Sequence, residues 1–180
     1  MLFEKISFEQ WEKDYRKYVK ENAHEQAIRD LYDRIKVPKR ATKFSAGYDF
    51  FIPHMYDVET DGDIILSGIK WNCEDIISKE YYIQRPETEM VLYLFARSST
   101  AKKYGFSLMN RVGVVDMDYC QSDNEGHIMF LVDKAAAKTR YTFGIGDKIA
   151  QGVINHFIIT TDDEPSELPK RFGGFGSTGT

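Results

Sequence analysis

Two carboxylates and an aromatic close an apolar run in Asn110-Arg-Val-Gly-Val-Val-Asp116-Met-Asp118-Tyr119. A carboxylate at a strand end can orient or deprotonate a water, and a tyrosine ring can cover a sugar face. Taken alone, the same residues also describe an edge turn with solvated acids. A second apolar run, Val91–Phe95, leads into Arg97-Ser98-Ser99-Thr100-Ala101. There a fork donor beside hydroxyls suits phosphate oxygens. Ser98 or Ser99 suits a helix N-cap equally well, and the two readings are compatible because a helix N-terminus attracts anions. Gly146-Asp-Lys-Ile-Ala-Gln151 reads as a turn entering a strand, with Gln151 the polar group left facing a site. Ala41-Thr-Lys-Phe-Ser-Ala-Gly47-Tyr-Asp49 brings an acid that could hold metal-bound water. Residues 171–180 are Arg-Phe-Gly-Gly-Phe-Gly-Ser-Thr-Gly-Thr, too glycine-rich to pack a core. They could close over a ligand, with Arg171 on an anion, Phe175 on a flat ring, and Ser177, Thr178 and backbone N–H groups on phosphate oxygens.

A Walker-type phosphate loop is excluded, because no Gly-Lys-Ser/Thr opens a helix. Gly144-Ile-Gly146 lacks the third glycine of a dinucleotide fingerprint and reads as a turn. His24, His54, His127 and His156 show no metal-ligand spacing and read as surface or packing residues.

These groups need elements to hold them. Residues 1–36 read as helix, with Ser7-Phe-Glu-Gln10 as a capping box, Ile6 and Trp11 as a hydrophobic staple, and a break near Asn22-Ala23-His24. Its apolar stripe is expected to pack on its own domain or on a neighbouring subunit, in preference to a separate partner. From Ala41 the texture becomes strand-like, over Tyr48–Ile52, Asp63–Leu66, Tyr81–Gln84, Met90–Phe95, Ile128–Val132, Tyr141–Phe143 and Ile149–Thr160. Short strands at this spacing predict a mainly β sandwich or jelly-roll-like barrel. A polar, acidic stretch from Thr161 tethers the tail. The expected organisation is therefore a helical extension over 1–38, a β domain over 39–160 and an arm over 161–180.

The chain has 180 residues and a formal net charge of −4, so no global charge draws it to nucleic acid or an anionic membrane. Any polyphosphate must be met by a few local cations and a metal ion. Two cysteines, Cys73 and Cys120, make neither a disulfide scaffold nor a structural zinc site. With no apolar leader or membrane span, the cytoplasm is the expected compartment.

Taken in order, five of these segments resemble the five motifs of the trimeric dUTPase family: Ser45–Asp49, Arg97–Ala101, Gly113–Tyr119, Gly146–Gln151 and Gly173–Gly179. The resemblance implies a jelly-roll-like β-clip that forms a homotrimer. Each active site would take the first, second and fourth motifs from one subunit, the third from another and the fifth from the last. It further implies hydrolysis of dUTP to dUMP and pyrophosphate with Mg²⁺ on the triphosphate. In that scheme Asp116 activates water at the α-phosphorus, and Tyr119 lies under the deoxyribose and rejects ribonucleotides. Val114, Val115 and Met129 read uracil through their backbones, with the Asn110 side chain. Arg97, Ser98, Ser99 and Gln151 hold phosphates, Asp49 meets Mg²⁺ through water, Arg171 clamps the γ-phosphate and Phe175 caps the uracil. Between Tyr119 and Gly126 this chain carries extra residues, Cys120–Glu125, which with residues 1–38 form candidate partner surfaces. A dCTP deaminase on the same fold needs a glutamate on the return strand, and His127–Val132 contains none. A nucleotide-gated regulator is the other alternative, as an added role.

Overall fold

The structure is a computed structural model describing residues 2–77, 89–136, 141–160, 162, 171 and 173. The strand expected at Tyr81–Gln84 and the site residues Phe175 and Ser177 lie outside the described residues. The chain opens on strand β1 (Leu2–Lys5), antiparallel to β6 (Ile69–Asn72), with Phe3 opposite Trp71. Helix does not reach this far forward because the helix N-cap is Ser7, and residues ahead of a cap have no intrahelical partners.

Ser7 is extended (φ −63°, ψ 159°) and its Oγ accepts from the Gln10 N–H at 3.1 Å. Helix α1 (Phe8–Tyr18) buries Gln10, Trp11, Asp14 and Tyr15, a single helical stripe. The expected break follows, and α2 (Glu25–Asp33) begins after His24. Trp11 Nε1–H donates to the Ile28 carbonyl at 3.3 Å and ties the helices together. The stripe does pack on its own domain: Trp11, Tyr15 and Ile28 join the buried cluster that contains Phe50, Trp71 and Phe130.

The second half of the capping box comes from elsewhere. The Gln10 amide turns to Asp14 at 2.8 Å, while Glu125 accepts from the Ser7 N–H at 2.9 Å and from its hydroxyl at 2.5 Å. Glu125 belongs to the extra residues after Tyr119, so the two candidate partner surfaces grip each other. Beside them, His127 Nε2 accepts from the Gly68 N–H at 2.9 Å. A backbone N–H can only donate, so the ring's proton sits on Nδ1, which donates to Asp14 at 2.7 Å.

The remaining elements are β2 (Lys39–Arg40), β3 (Tyr48–Phe51), β4 (Tyr56–Asp57), β5 (Ile64–Leu66), α3 (Glu74–Ile77), β7 (Met90–Ala96), α4 (Ser98–Tyr104), β8 (Val112–Asp116), β9 (Met129–Leu131), β10 (Thr142–Phe143) and β11 (Lys148–His156). The described strands form an antiparallel sheet in the order β2-β3-β11-β7-β8 and the pairs β1–β6, β4–β10 and β5–β9. Together they make a mainly β, jelly-roll-like body around Phe50, Tyr56, Trp71, Phe106 and Phe130. Among the described residues no helix is long and apolar enough to cross a membrane.

His54 and His127 are both buried. Burial pushes both imidazoles below the ordinary histidine value, for His127 against the opposing pull of Asp14. The unfolded chain then takes up protons first, so this stability is present above about pH 6.5 and is lost as pH falls below it. The urea unfolding midpoint is expected to be lower at pH 5.5 than at pH 7.5. A midpoint unchanged over that window would show that folding does not lower the pKa of these rings.

Candidate active site

Three of the sequence segments meet at one end of the five-stranded sheet. Asp49 in β3 lies opposite Gln151 in β11, which lies opposite Phe95 in β7, two residues before Arg97. Asp49 is 5% exposed, with Arg97 Nε 2.9 Å from one carboxylate oxygen and Lys148 Nζ 2.7 Å from the other. A buried carboxylate is stable only when compensated, and here it fixes two cations in place. Lys148 reaches it because the β11 register slips between Lys148 and Ala150, setting Lys148 opposite Phe51. Strict alternation would have sent Lys148 and Gln151 to opposite faces; the bulge puts both on one. Gly47 makes room for Gln151, since a Cβ there would stand 2.6 Å from its side-chain oxygen.

The N-cap of α4 is Arg97, not Ser98 or Ser99, and it makes no side-chain capping hydrogen bond, so the helix starts one residue earlier than a serine cap would set it. Ser98 and Ser99 begin the helix, and their backbone N–H groups have no partner within it. Around these groups opens a cleft of about 300 Å³ lined by Arg97, Ser99, Thr100, Lys103, Gly146 and Lys148. Three of its lining side chains, Arg97, Lys103 and Lys148, are cationic, and Asp147 lines it as well.

The carboxylate end is built differently. β8 pairs with β7 from Val112 opposite Phe95 to Asp116 opposite Val91, and has no strand on its other side among the described residues. Val114 is exposed and Val115 buried, and the outer edge of β8 offers backbone donors and acceptors to a ligand. Asn110 is exposed in the turn before β8, where Arg111 takes φ 58°. Met129 lies opposite Leu66 in another sheet with its side chain in the core, so β8 and β9 form a fork, not a paired hairpin. Between them a 3-10 helix, Met117–Gln121, carries Asp118 and Tyr119.

Partial burial pushes the Asp116 carboxyl above the usual range; the Arg171 guanidinium opposes this and Asp118 adds to it. Arg171 contacts Asp116 and donates from Nε to Asp118 at 2.9 Å. In this structure Arg171 therefore rests on carboxylates of its own chain.

The two ends do not meet within one chain. Ala96 lies opposite Ala150, whereas Asp116 lies opposite Val91, five residues back along β7. At about 3.4 Å per residue that is roughly 17 Å along an extended strand. The sequence reading missed Lys148, concealed by the bulge, and Lys103, which is one helical turn after Ser99.

This fold, with a cationic cleft at one end of the sheet and a strand-end carboxylate beside a free backbone edge at the other, defines the class as a mainly β, jelly-roll-like β-clip protein. No protein-family model matches the chain. It is 38% identical over 148 residues to deoxyuridine 5'-triphosphate nucleotidohydrolase of Lactococcus lactis subsp. lactis (strain IL1403), spanning 81% of this chain and 89% of that protein. It is 35% identical over 154 residues to the protein of the same name from Wolinella succinogenes, spanning 83% of this chain and 90% of that one. It also resembles the crystal structure of dUTPase from Streptococcus mutans, with TM-score 0.59 and 29% identity over 89% of this chain and 98% of that one. The chain belongs to the deoxyuridine 5'-triphosphate nucleotidohydrolase family, the dUTPases.

Replacing Arg97 by methionine removes a charge-assisted donor from the cleft. Affinity for inorganic pyrophosphate, measured by calorimetry, is expected to fall about tenfold or more. Unchanged affinity would detach this cleft from phosphate binding.

Proposed function

We propose that the protein hydrolyses dUTP to dUMP and pyrophosphate at sites shared among three copies of the chain. The observation that carries this reading is the free edge of β8 ending on Asp116, with Tyr119 just beyond. Asp116 accepts a proton from water as the water oxygen attacks the α-phosphorus, and the bond to the bridging oxygen breaks to release pyrophosphate. A raised carboxyl pKa suits this role, because a general base works best when its pKa lies nearer the working pH.

The backbones of Val114, Val115 and Met129, with the Asn110 side chain, read the uracil edge. Cytosine presents the opposite donors and leaves buried groups unpaired, at about 1–3 kcal/mol each. Tyr119 lies under the deoxyribose. Arg97, Ser98, Ser99 and Gln151 hold the phosphates, with Lys148 added to that set. Because these groups stand so far along β7 from Asp116, they belong to a different copy of the chain than the Asp116 they serve. Arg171, Phe175 and Ser177 close the site from the arm, and Arg171 exchanges its carboxylate contacts for phosphate.

Among the described residues no cluster of three or more His, Cys, Asp or Glu side chains could hold a metal. Magnesium fits instead as part of the substrate, ligated by triphosphate oxygens and water, where it neutralises phosphate charge. Asp49, already paired with Arg97 and Lys148, meets it only through water.

Pyrophosphate release across dUTP, dCTP, dTTP and UTP, with and without Mg²⁺, tests the assignment; fast release from dCTP or none from dUTP would refute it. Asp116→Asn is expected to cut kcat by about 10²-fold or more in a folded protein. Burial is the main cause of the raised Asp116 pKa and the like charge of Asp118 a lesser one, so Asp118→Asn should move the acid limb of the pH–rate profile to lower pH. A limb that stays in place would mean Asp116 does not set it.

A further inference from the structure

The extra residues after Tyr119 form a closed loop. Gly126 shuts it at φ 71°, where a Cβ would stand 2.7 Å from Cys120 Cα and 2.8 Å from the Tyr119 carbonyl oxygen. Glu125 is also left-handed, at φ 58°, and is anchored on Ser7. Inside the loop, Ser122 Oγ lies 2.7 Å from the Tyr119 carbonyl and 2.7 Å from Asn124 Oδ1. The Gly126 N–H donates to Asn124 Oδ1 at 3.2 Å. Because a backbone N–H only donates, that atom is the amide oxygen, and the Asn124 NH₂ faces the other way. It faces Tyr119, 3.0 Å from the phenol oxygen. The phenol accepts there and donates its single proton to the His127 carbonyl at 3.1 Å. The ring is held by its hydroxyl as well as by its backbone.

We propose that Asn124 is a positioning residue that sets sugar specificity: by fixing the Tyr119 hydroxyl it holds the ring where a 2′-hydroxyl cannot fit. The inference rests on the dUTP hydrolysis proposed above. A tyrosine ring turns on two torsions, and a ring free to swing yields space to one extra oxygen. Two hydrogen bonds to the phenol remove that freedom. The loop that supplies them is itself braced by Glu125 on the N-cap of α1, so the N-terminal helix supports the sugar pocket from behind.

The test compares kcat/KM for dUTP and UTP in the wild type, Asn124→Ala, Tyr119→Phe and the double variant. Asn124→Ala is expected to lower the dUTP-over-UTP preference about tenfold, and Tyr119→Phe by at least as much. The double variant should lose no more than Tyr119→Phe alone, since Asn124 acts through that hydroxyl. A loop with only a structural role would slow both nucleotides alike and leave their ratio in place. Wild-type preference in Asn124→Ala, or additive losses in the double, overturns the inference. Tyr119→Phe removes the same bonds without touching the loop, so full preference there overturns it even if Asn124→Ala fails to fold. A wild type that hydrolyses dUTP and UTP alike, or neither, refutes the function and the inference together; a discriminating wild type confines any failure to Asn124.

Discussion

The antiparallel ladder of β7 sets what each copy of this chain can do. Pairing with β11 places Asp49, Gln151 and Lys148 beside Arg97 at one end, and pairing with β8 places Asp116 opposite Val91 at the other. A strand cannot shorten without losing hydrogen bonds, and a slip by one residue would turn the buried face of the sheet toward solvent. The separation is therefore as rigid as the core beneath it, which includes Phe50, Leu92 and Leu94. In the proposed reaction, a water poised on one phosphorus and cations gripping the next phosphates would have to act within a few ångströms of each other. In the proposed reading, association of copies would resolve this constraint without straining the sheet.

A second constraint keeps the carboxylate end in shape. Gln10, Asp14 and His127 are almost fully buried and polar, and each is paired. Unpaired, such groups would cost about 1–3 kcal/mol each. The network joins α1 to the segment that returns from the Tyr119 loop, and Glu125 joins the same loop to the N-cap. The N-terminal segment is thus part of the body that aims Asp116 and Tyr119, with β1 adding a strand beside β6.

Local chemistry was legible in the sequence wherever it was governed by a few neighbouring residues. Ser7 with Gln10 announced the cap of α1, the Asn22–His24 break fell where the helix ends, and Gly146 marked the turn into β11. Arg97 with Ser98 and Ser99 announced a helix start, and α4 begins there, one residue ahead of where the serine cap suggested by the pattern would set it. What remained hidden depends on pairing between distant segments. Leu2–Lys5 has too few residues to declare a strand until β6 offers an edge. Lys148 was invisible because a bulge breaks the two-residue alternation used to assign faces. The Gln10 half of the capping box was satisfied instead by Glu125, 118 residues beyond Ser7 in the chain. Arg171, the residue expected on a phosphate, is held by Asp116 and Asp118.

The sharing of one catalytic centre between copies is tested most directly by complementation. Asp116→Asn and Arg97→Met chains, each impaired alone, are unfolded together, refolded and assayed for pyrophosphate release from dUTP. If Asp116 and Arg97 of different copies serve the same nucleotide, random assembly restores about a quarter of wild-type activity, because one site in four draws both intact residues. A mixture no more active than its separate components would contradict it.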